Sequence, residues 1–162
     1  MVIYTDGSCV GNGKAHNSGG FGVIVVDNNE NLLFNYSKRC ENTTNNREEL
    51  KAILYSFLNY GVNIYNEDNF NKEIPIVYSD SNYCVQTFNE WMFGWANKGW
   101  IKSDKQTPEN LDLIQAYYNW YNKGYRIELK KVKGHAGNKW NEVADQLATG
   151  KLTPEEVYKI YG

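Results

Sequence analysis

The sequence has no excess of positive charge. Across 162 residues, 17 Lys and Arg stand against 19 Asp and Glu, for a formal net charge of −2. No global positive field therefore announces a nucleic-acid partner, although a local patch would be enough to recruit one. A cysteine framework is also missing. Cys9, Cys40 and Cys84 are odd in number and widely spaced, which gives neither a zinc pattern nor a disulfide scaffold and points to a reducing, cytoplasmic compartment. Nor is there a long apolar run. "MVIYTDGSC" lacks a basic stretch followed by an apolar one, so neither a signal peptide nor a membrane anchor is expected. Internal repeats and linkers are absent too. What is present suits one compact domain with a real core, at a length too short for two. The 41% hydrophobic and 22% charged residues are ordinary, while aromatics at 15%, with 13 Tyr and 5 Trp, are abundant.

"MVIYTDGS" reads as a strand running into a turn, "FGVIVVD" as a second strand and "NLLFNYSKR" as a third, with hairpin-turn chemistry in the "DNNEN" between the last two. From about residue 46, Leu50, Ile53, Leu54, Phe57 and Leu58 recur with the spacing of an amphipathic helix. "IPIVYSD" is a short strand and "SNYCVQTFNEW" a helix; residues 91–107 form an irregular segment holding three tryptophans. Pro108 sits at the start of the next helix, where its missing N–H costs nothing. "RIELKKVKG" is a fifth strand, "WNEVADQLA" a helix, and "TPEEVYKIY" a last short helix capped by Thr153 with Pro154 in its first turn. Val157 and Ile160 are expected to pack this tail onto the domain. The order of elements predicts a mixed sheet flanked by helices, an α/β architecture.

Two aspartates end strands. Asp6 closes the first and Asp80 closes "IPIVYSD", each followed by a small residue that leaves room for close approach. An aspartate in that position can equally be a turn former. If the strands are sheet neighbours, the carboxylates share an edge. Helical phase then separates the adjacent Glu48 and Glu49. At roughly 100° per residue, Glu48 points about 150° from the apolar stripe, into solvent, while Glu49 lies about 110° away, on the flank that reaches the sheet edge. Gathered carboxylates cannot stay ionised together without a positive partner, and the usual one is a divalent cation with oxygen ligands, Mg²⁺ or Mn²⁺.

"YTDGSCVGNG", "TTNNREELKA", "VYSDSNYCV", "WANKGWIKSDKQTPEN" and "VKGHAGNKWNEVADQLA" resemble, in order and spacing, the successive motifs of type 1 ribonuclease H. The resemblance covers residues 1–148, taken as the catalytic domain, with 149–162 as a helical tail that is not a separate domain. It implies the ribonuclease H-like fold, a five-stranded mixed sheet flanked by helices. The implied activity is endonucleolytic cleavage of the RNA strand of an RNA–DNA hybrid, leaving 5′-phosphate and 3′-hydroxyl ends. Motif by motif it makes Asp6, Glu49, Asp80 and Asp145 ligands of two Mg²⁺ ions, which Mn²⁺ can replace, with Glu48 at the variable position of the second motif. Helical phase alone reads Asp145 as a surface charge, so its assignment rests on the resemblance. His135 of "KGHAG" is implied to assist proton transfer or product departure, and its ordinary pKa near 6.5 suits that work. His16 matches no motif and reads as loop surface.

The resemblance assigns contacts in the hybrid's shallow groove to Cys9, Asn12, Asn45, Asn46 and Asn82, where an amide can both donate to and accept from a 2′-hydroxyl. It assigns a DNA-phosphate pocket to Thr44 and Asn110, although Asn42 stands where the family often has an arginine. It also matches Trp91, Trp95 and Trp100 to a protruding segment beside the DNA strand, with packing an equal alternative. Lys98, Lys102 and Lys105 there are offset by Asp104 and Glu109, which predicts weak salt dependence of hybrid binding. The lysines between residues 123 and 139 could flank the hybrid or form the solvated face of an edge strand, the second being the favoured reading. The expected protein is a monomer that acts on a hybrid, without a membrane and without a separate hybrid-binding domain. A non-catalytic hybrid-binding module and a junction-cleaving nuclease are the alternatives. The intact carboxylates with His135 argue against the first, and the intact second and fifth motifs against the other.

Overall fold

The computed structural model describes residues 1–62, 73–132 and 138–162. Its strands are β1 (Val2–Val10), β2 (Ser18–Val26), β3 (Leu32–Glu41), β4 (Ile76–Ser79) and β5 (Glu128–Lys131). They form one sheet in the order β3-β2-β1-β4-β5. β1 and β3 run antiparallel to β2, whereas β4 is parallel to β1 and β5 parallel to β4. This is the expected five-stranded mixed sheet. The β2–β3 hairpin turns where the Asp27 carboxylate accepts the backbone N–H groups of Asn29 and Asn31 at 2.8 and 2.9 Å.

β2 lies deep in the sheet, and its "FGVIVV" run is buried throughout. Its residues alternate between two cores. Phe21, Val23 and Val25 join Ile3, Leu50, Ile53, Phe57 and Val77 on one face; Ile24 and Val26 join Tyr4, Trp140, Val143, Ala144 and Leu147 on the other. Helix α1 (Asn45–Ser56) covers the first face and runs on through a wider π-helical turn, Phe57–Val62. Helix α5 (Lys139–Thr149) covers the second. Between β4 and β5 the chain forms α2 (Asn82–Gln86), a π-helical turn (Thr87–Trp91), α3 (Met92–Asn97) and α4 (Leu111–Asn122). On the first face, Tyr117 of α4 stacks on Phe57 and Phe88 at ring separations of 4.4 and 4.0 Å.

Several local expectations change. β1 does not end at Asp6 but continues to Val10, because β2 goes on pairing with it after β4 has stopped. The tryptophan-rich segment is helical as far as Asn97. Pro108 lies buried ahead of α4 rather than in its first turn, and the helix opens after Asn110, which takes a left-handed conformation with φ of 59°. The last helix, α6 (Pro154–Tyr161), has its expected cap strengthened into a reciprocal box between Thr153 and Glu156. Val157 is buried as expected, but Ile160 is exposed, and Tyr161 packs edge-on against Trp140 in its place. No helix among the described residues is long and apolar enough to cross a membrane.

Candidate active site

Asp6 and Asp80 meet because β1 and β4 are parallel neighbours. Tyr4 pairs with Tyr78, the last rung of that ladder, so two residues further on each chain carries an aspartate past the end of their shared pairing. Thr5 Oγ1 ties the strand ends together by donating to the Tyr78 carbonyl at 2.8 Å. Two glycines then bring the helices in. A Cβ on Gly7 would lie 2.3 Å from the Glu49 nitrogen and 2.4 Å from the Glu48 carbonyl carbon, so α1 rests directly on β1 at its first turn. Gly22, the cross-strand partner of Asp6, does the same for α5: a Cβ there would lie 2.5 Å from the Ala144 carbonyl oxygen. Asp145 follows Ala144 in that helix. It stands half-buried at the cleft, although helical phase had read it as surface charge.

Ligand atoms of Asp6, Glu49 and Asp80 lie within 4.8 Å of one another. With Asp145, Gly7, Asn45, Asn46 and Ser81 they line an open cavity of about 340 Å³. Ser81 shapes its floor: its hydroxyl accepts the Cys84 N–H as the cap of α2, and its own N–H donates to Ser79 Oγ at 3.2 Å. Burial pushes the Asp6 carboxyl up to about 7; a hydrogen bond with Glu49 opposes this, while the charges of Asp80 and Asp145 add to it. Burial, then the charges of Asp6 and Asp80, hold Glu49 well above the usual carboxylate range, with the Gly7 N–H opposing. Among the described residues, Glu49 Oε2 is buried with no hydrogen-bond partner. An all-oxygen cluster with raised affinities for protons and an unpartnered buried oxygen suits a hard divalent cation.

The family model for RNase H matches residues 1–153. The chain belongs to the RNase H family. A ribonuclease H from Chromobacterium violaceum is 36% identical over 151 residues, covering 91% of each chain. Among solved structures, LC9-RNase H1, described as a type 1 RNase H with the type 2 active-site motif, is 28% identical with a TM-score of 0.66. That match covers 92% of this chain and 70% of the other. The structure of LC11-RNase H1 in complex with an RNA/DNA hybrid matches the fold at a TM-score of 0.62 and 19% identity, over 97% and 98% of the two chains. This chain is a ribonuclease H of a metal-dependent family, and its acidic cluster lies where α1, α5, β1 and β4 converge.

Several of the candidate substrate residues of this ribonuclease H meet at the start of α1. Thr44 caps α1, accepting the Arg47 N–H at 3.0 Å, which leaves its hydroxyl proton free to donate. The Asn45 N–H donates to Asn12 Oδ1 at 3.1 Å, joining the β1–β2 turn to the helix start. Cys9 Sγ donates to the Thr43 carbonyl at 3.5 Å. Asn82 is exposed at the start of α2. Asn110 reaches the α1 cap through Arg47, whose Nη1 donates to Asn110 Oδ1 at 3.3 Å. The same guanidinium grips Asp112 with bonds of 3.0 and 2.7 Å. The cation near this pocket is therefore already matched by an acid. Trp91 is exposed and tilts against Trp95 at 6.1 Å, while Trp100 is edge-on to Tyr118 at 5.1 Å on the core side. His135 lies outside the described residues. His16 is exposed, as expected, beside a separate open hollow of about 530 Å³ at the β1–β2 turn.

Glu48 corrects the sequence reading. It is fully buried, not solvated. Phase counting allows a helix one covered side, but the first turn of α1 has two, because the segment entering it folds back across Glu48. Both partners are near in sequence, Lys51 three residues later supplying the cation and Thr43 five residues earlier a hydroxyl, but the fold that brings Thr43 over Glu48 is not written in that spacing.

Proposed function

We propose that this ribonuclease H hydrolyses the RNA strand of RNA–DNA hybrids, with Asp6, Glu49, Asp80 and Asp145 holding two divalent cations, Mg²⁺ or Mn²⁺. The observation that carries the reading is the convergence of Asp6, Glu49 and Asp80 within 4.8 Å at the open end of the sheet. Bound there, the cations would supply a nucleophilic water and charge for the leaving 3′-oxygen, giving 5′-phosphate and 3′-hydroxyl ends. The chain's own residues do the positioning. β1 and β4 fix two carboxylates, the tight seats at Gly7 and Gly22 bring Glu49 and Asp145 up to them, Asn45 and Asn46 border the reacting strand with amides, and Thr44 offers its hydroxyl to a phosphate of the DNA strand. An amide beside the cleft can donate to and accept from a 2′-hydroxyl, which supports choice of the RNA strand. His135 is assigned proton transfer or product release on its motif alone.

The unpaired Cys9, Cys40 and Cys84 suit a reducing cytoplasm. A gel assay on a labelled hybrid, comparing the unmutated chain with Asp80→Asn, tests the central proposal. Cleavage by the first and not by the second is expected; no cleavage by the unmutated chain in either Mg²⁺ or Mn²⁺ would overturn it.

A further inference from the structure

The first turn of α1 carries a second buried acid that the cleft does not use. Glu48 Oε2 accepts the Thr43 hydroxyl at 2.7 Å and Lys51 Nζ at 2.8 Å, and Oε1 is buried without a partner among the described residues. A solvated acid would serve the helix dipole equally well, and burying a carboxylate is unfavourable unless a cation and hydrogen-bond donors meet it, as Lys51 and Thr43 do here. What Glu48 holds is the junction between β3 and α1. Thr43 is gripped at three atoms: its N–H donates to Asn17 Oδ1 at 2.7 Å, its carbonyl accepts from Cys9, and its hydroxyl reaches Glu48. Asn42, just before it, is in the left-handed region with φ of 54°, so the chain turns sharply into this socket. The socket is cut into β2, where a Cβ on Gly19 would lie 2.6 Å from Thr43 Cγ2 and 3.2 Å from Glu48 Cγ. Immediately beyond Thr43 come Thr44, Asn45 and Asn46, the last two of which line the acidic cavity.

We infer that Glu48 is a positioning residue for substrate binding: through the Thr43 hydroxyl it fixes the Thr44–Asn46 segment against the hybrid, while Glu49 serves the carboxylate cluster. The inference rests on the hybrid-cleaving reading. One helical turn does both jobs because successive side chains diverge by about 100°, so the same backbone that seats Glu49 on Gly7 seats Glu48 over Gly19. Severing the Glu48–Thr43 bond loosens the binding segment and leaves the carboxylates where they are.

The test compares the unmutated chain with Thr43→Val, Thr43→Ser, Glu48→Met and the double variant Thr43→Val/Glu48→Met. Steady-state cleavage, Mn²⁺ titration, thermal denaturation and hybrid affinity in EDTA are measured for each. Thr43→Val is expected to raise KM and weaken the EDTA affinity about 5-fold, with kcat and Mn²⁺ affinity within about 2-fold of the parent. Thr43→Ser, which keeps the hydroxyl, restores both. The double variant is no worse than Glu48→Met, because that change already severs the Thr43 bond together with the Lys51 pair. A lowered Tm with KM and EDTA affinity unchanged would show a merely structural bond and overturn the inference; weakened Mn²⁺ affinity would assign Glu48 to the carboxylate cluster and overturn it too. If Glu48→Met does not fold, the Thr43 pair decides. An unmutated chain that binds but does not cleave would sink the hydrolytic reading alone, since the EDTA affinities still test Glu48.

Discussion

The two flanks of the first turn of α1 hold neighbouring carboxylates in opposite surroundings. Glu48 and Glu49 are both buried. On one flank Glu48 meets Lys51 and a hydroxyl, the partners a buried charge needs. On the other, Glu49 meets Asp6 and Asp80, and these like charges add to the effect of its burial. A buried acid supplied with its own cation and donor is part of the framework. A buried acid surrounded by acids stores an unfavourable interaction that only a proton or a metal relieves, so that flank is the reactive one.

The largest expected effect follows from exchanging charge for amide on the reactive flank. Glu49→Gln should lower cleavage of a labelled hybrid by more than the roughly 10–100-fold that loss of an outer-shell partner produces. The same change should raise the melting temperature of the metal-free chain, because it removes one of the repelling charges. Activity and stability moving in opposite directions sharpens the contrast; a joint fall in both would break it.

On the framework flank the signs reverse. Lys51→Met leaves Glu48 buried without its cation and should destabilise the chain by about 2–3 kcal/mol in denaturant melts, the side chain of Lys51 being partly exposed. The kcat should stay within about 2-fold of the parent value. A kcat loss comparable to that of Glu49→Gln would erase the distinction between the flanks.

pH separates them next. Asp6 titrates at about 7 and Glu49 well above its ordinary range in the folded chain, against roughly 4 when unfolded. The folded state therefore binds more protons across that interval. Its stability without metal, fully present below pH about 4 for these groups, is lost as pH rises through 7. Asp112, held low by Arg47, acts in the other sense, but only at more acidic pH. Thermal melts in EDTA should fall by about 5 °C or more between pH 5 and pH 8, and Mg²⁺ at pH 8 should reverse the fall. A flat profile would mean that the cluster carries no excess of protons.

Salt is the gentlest probe. Among the described residues Lys51 is committed to Glu48, Arg47 to Asp112 and Lys102 to Asp104 at 3.8 Å, so these three are not free to displace counterions. The log–log slope of hybrid affinity against salt should be shallow, no steeper than about −3. A slope beyond about −5 would show that these ion pairs open on binding.

The sequence by itself determined the elements and most of the reactive flank. The apolar period of α1, the strand ends at Asp6 and Asp80 and the five motifs are local patterns, and helical phase alone turned Glu49 toward the sheet. Strand pairing past Asp6 was not legible, because it depends on β2 outlasting β4 beside β1. Asp145 was misread by phase, since the contact of α5 with Gly22 brings a flank residue to the cleft's rim. Ile160 was misread because Tyr161 offers the larger apolar surface to Trp140. Only the tertiary structure decided Glu48. Periodicity measures the one face a helix turns to its sheet, and nothing in it records that Thr43 folds back to cover a second. That cover depends on a glycine in β2, 29 positions before Glu48 in the chain, and on a lysine one turn later. Burial there is a property of three segments meeting, which no single stretch of sequence contains.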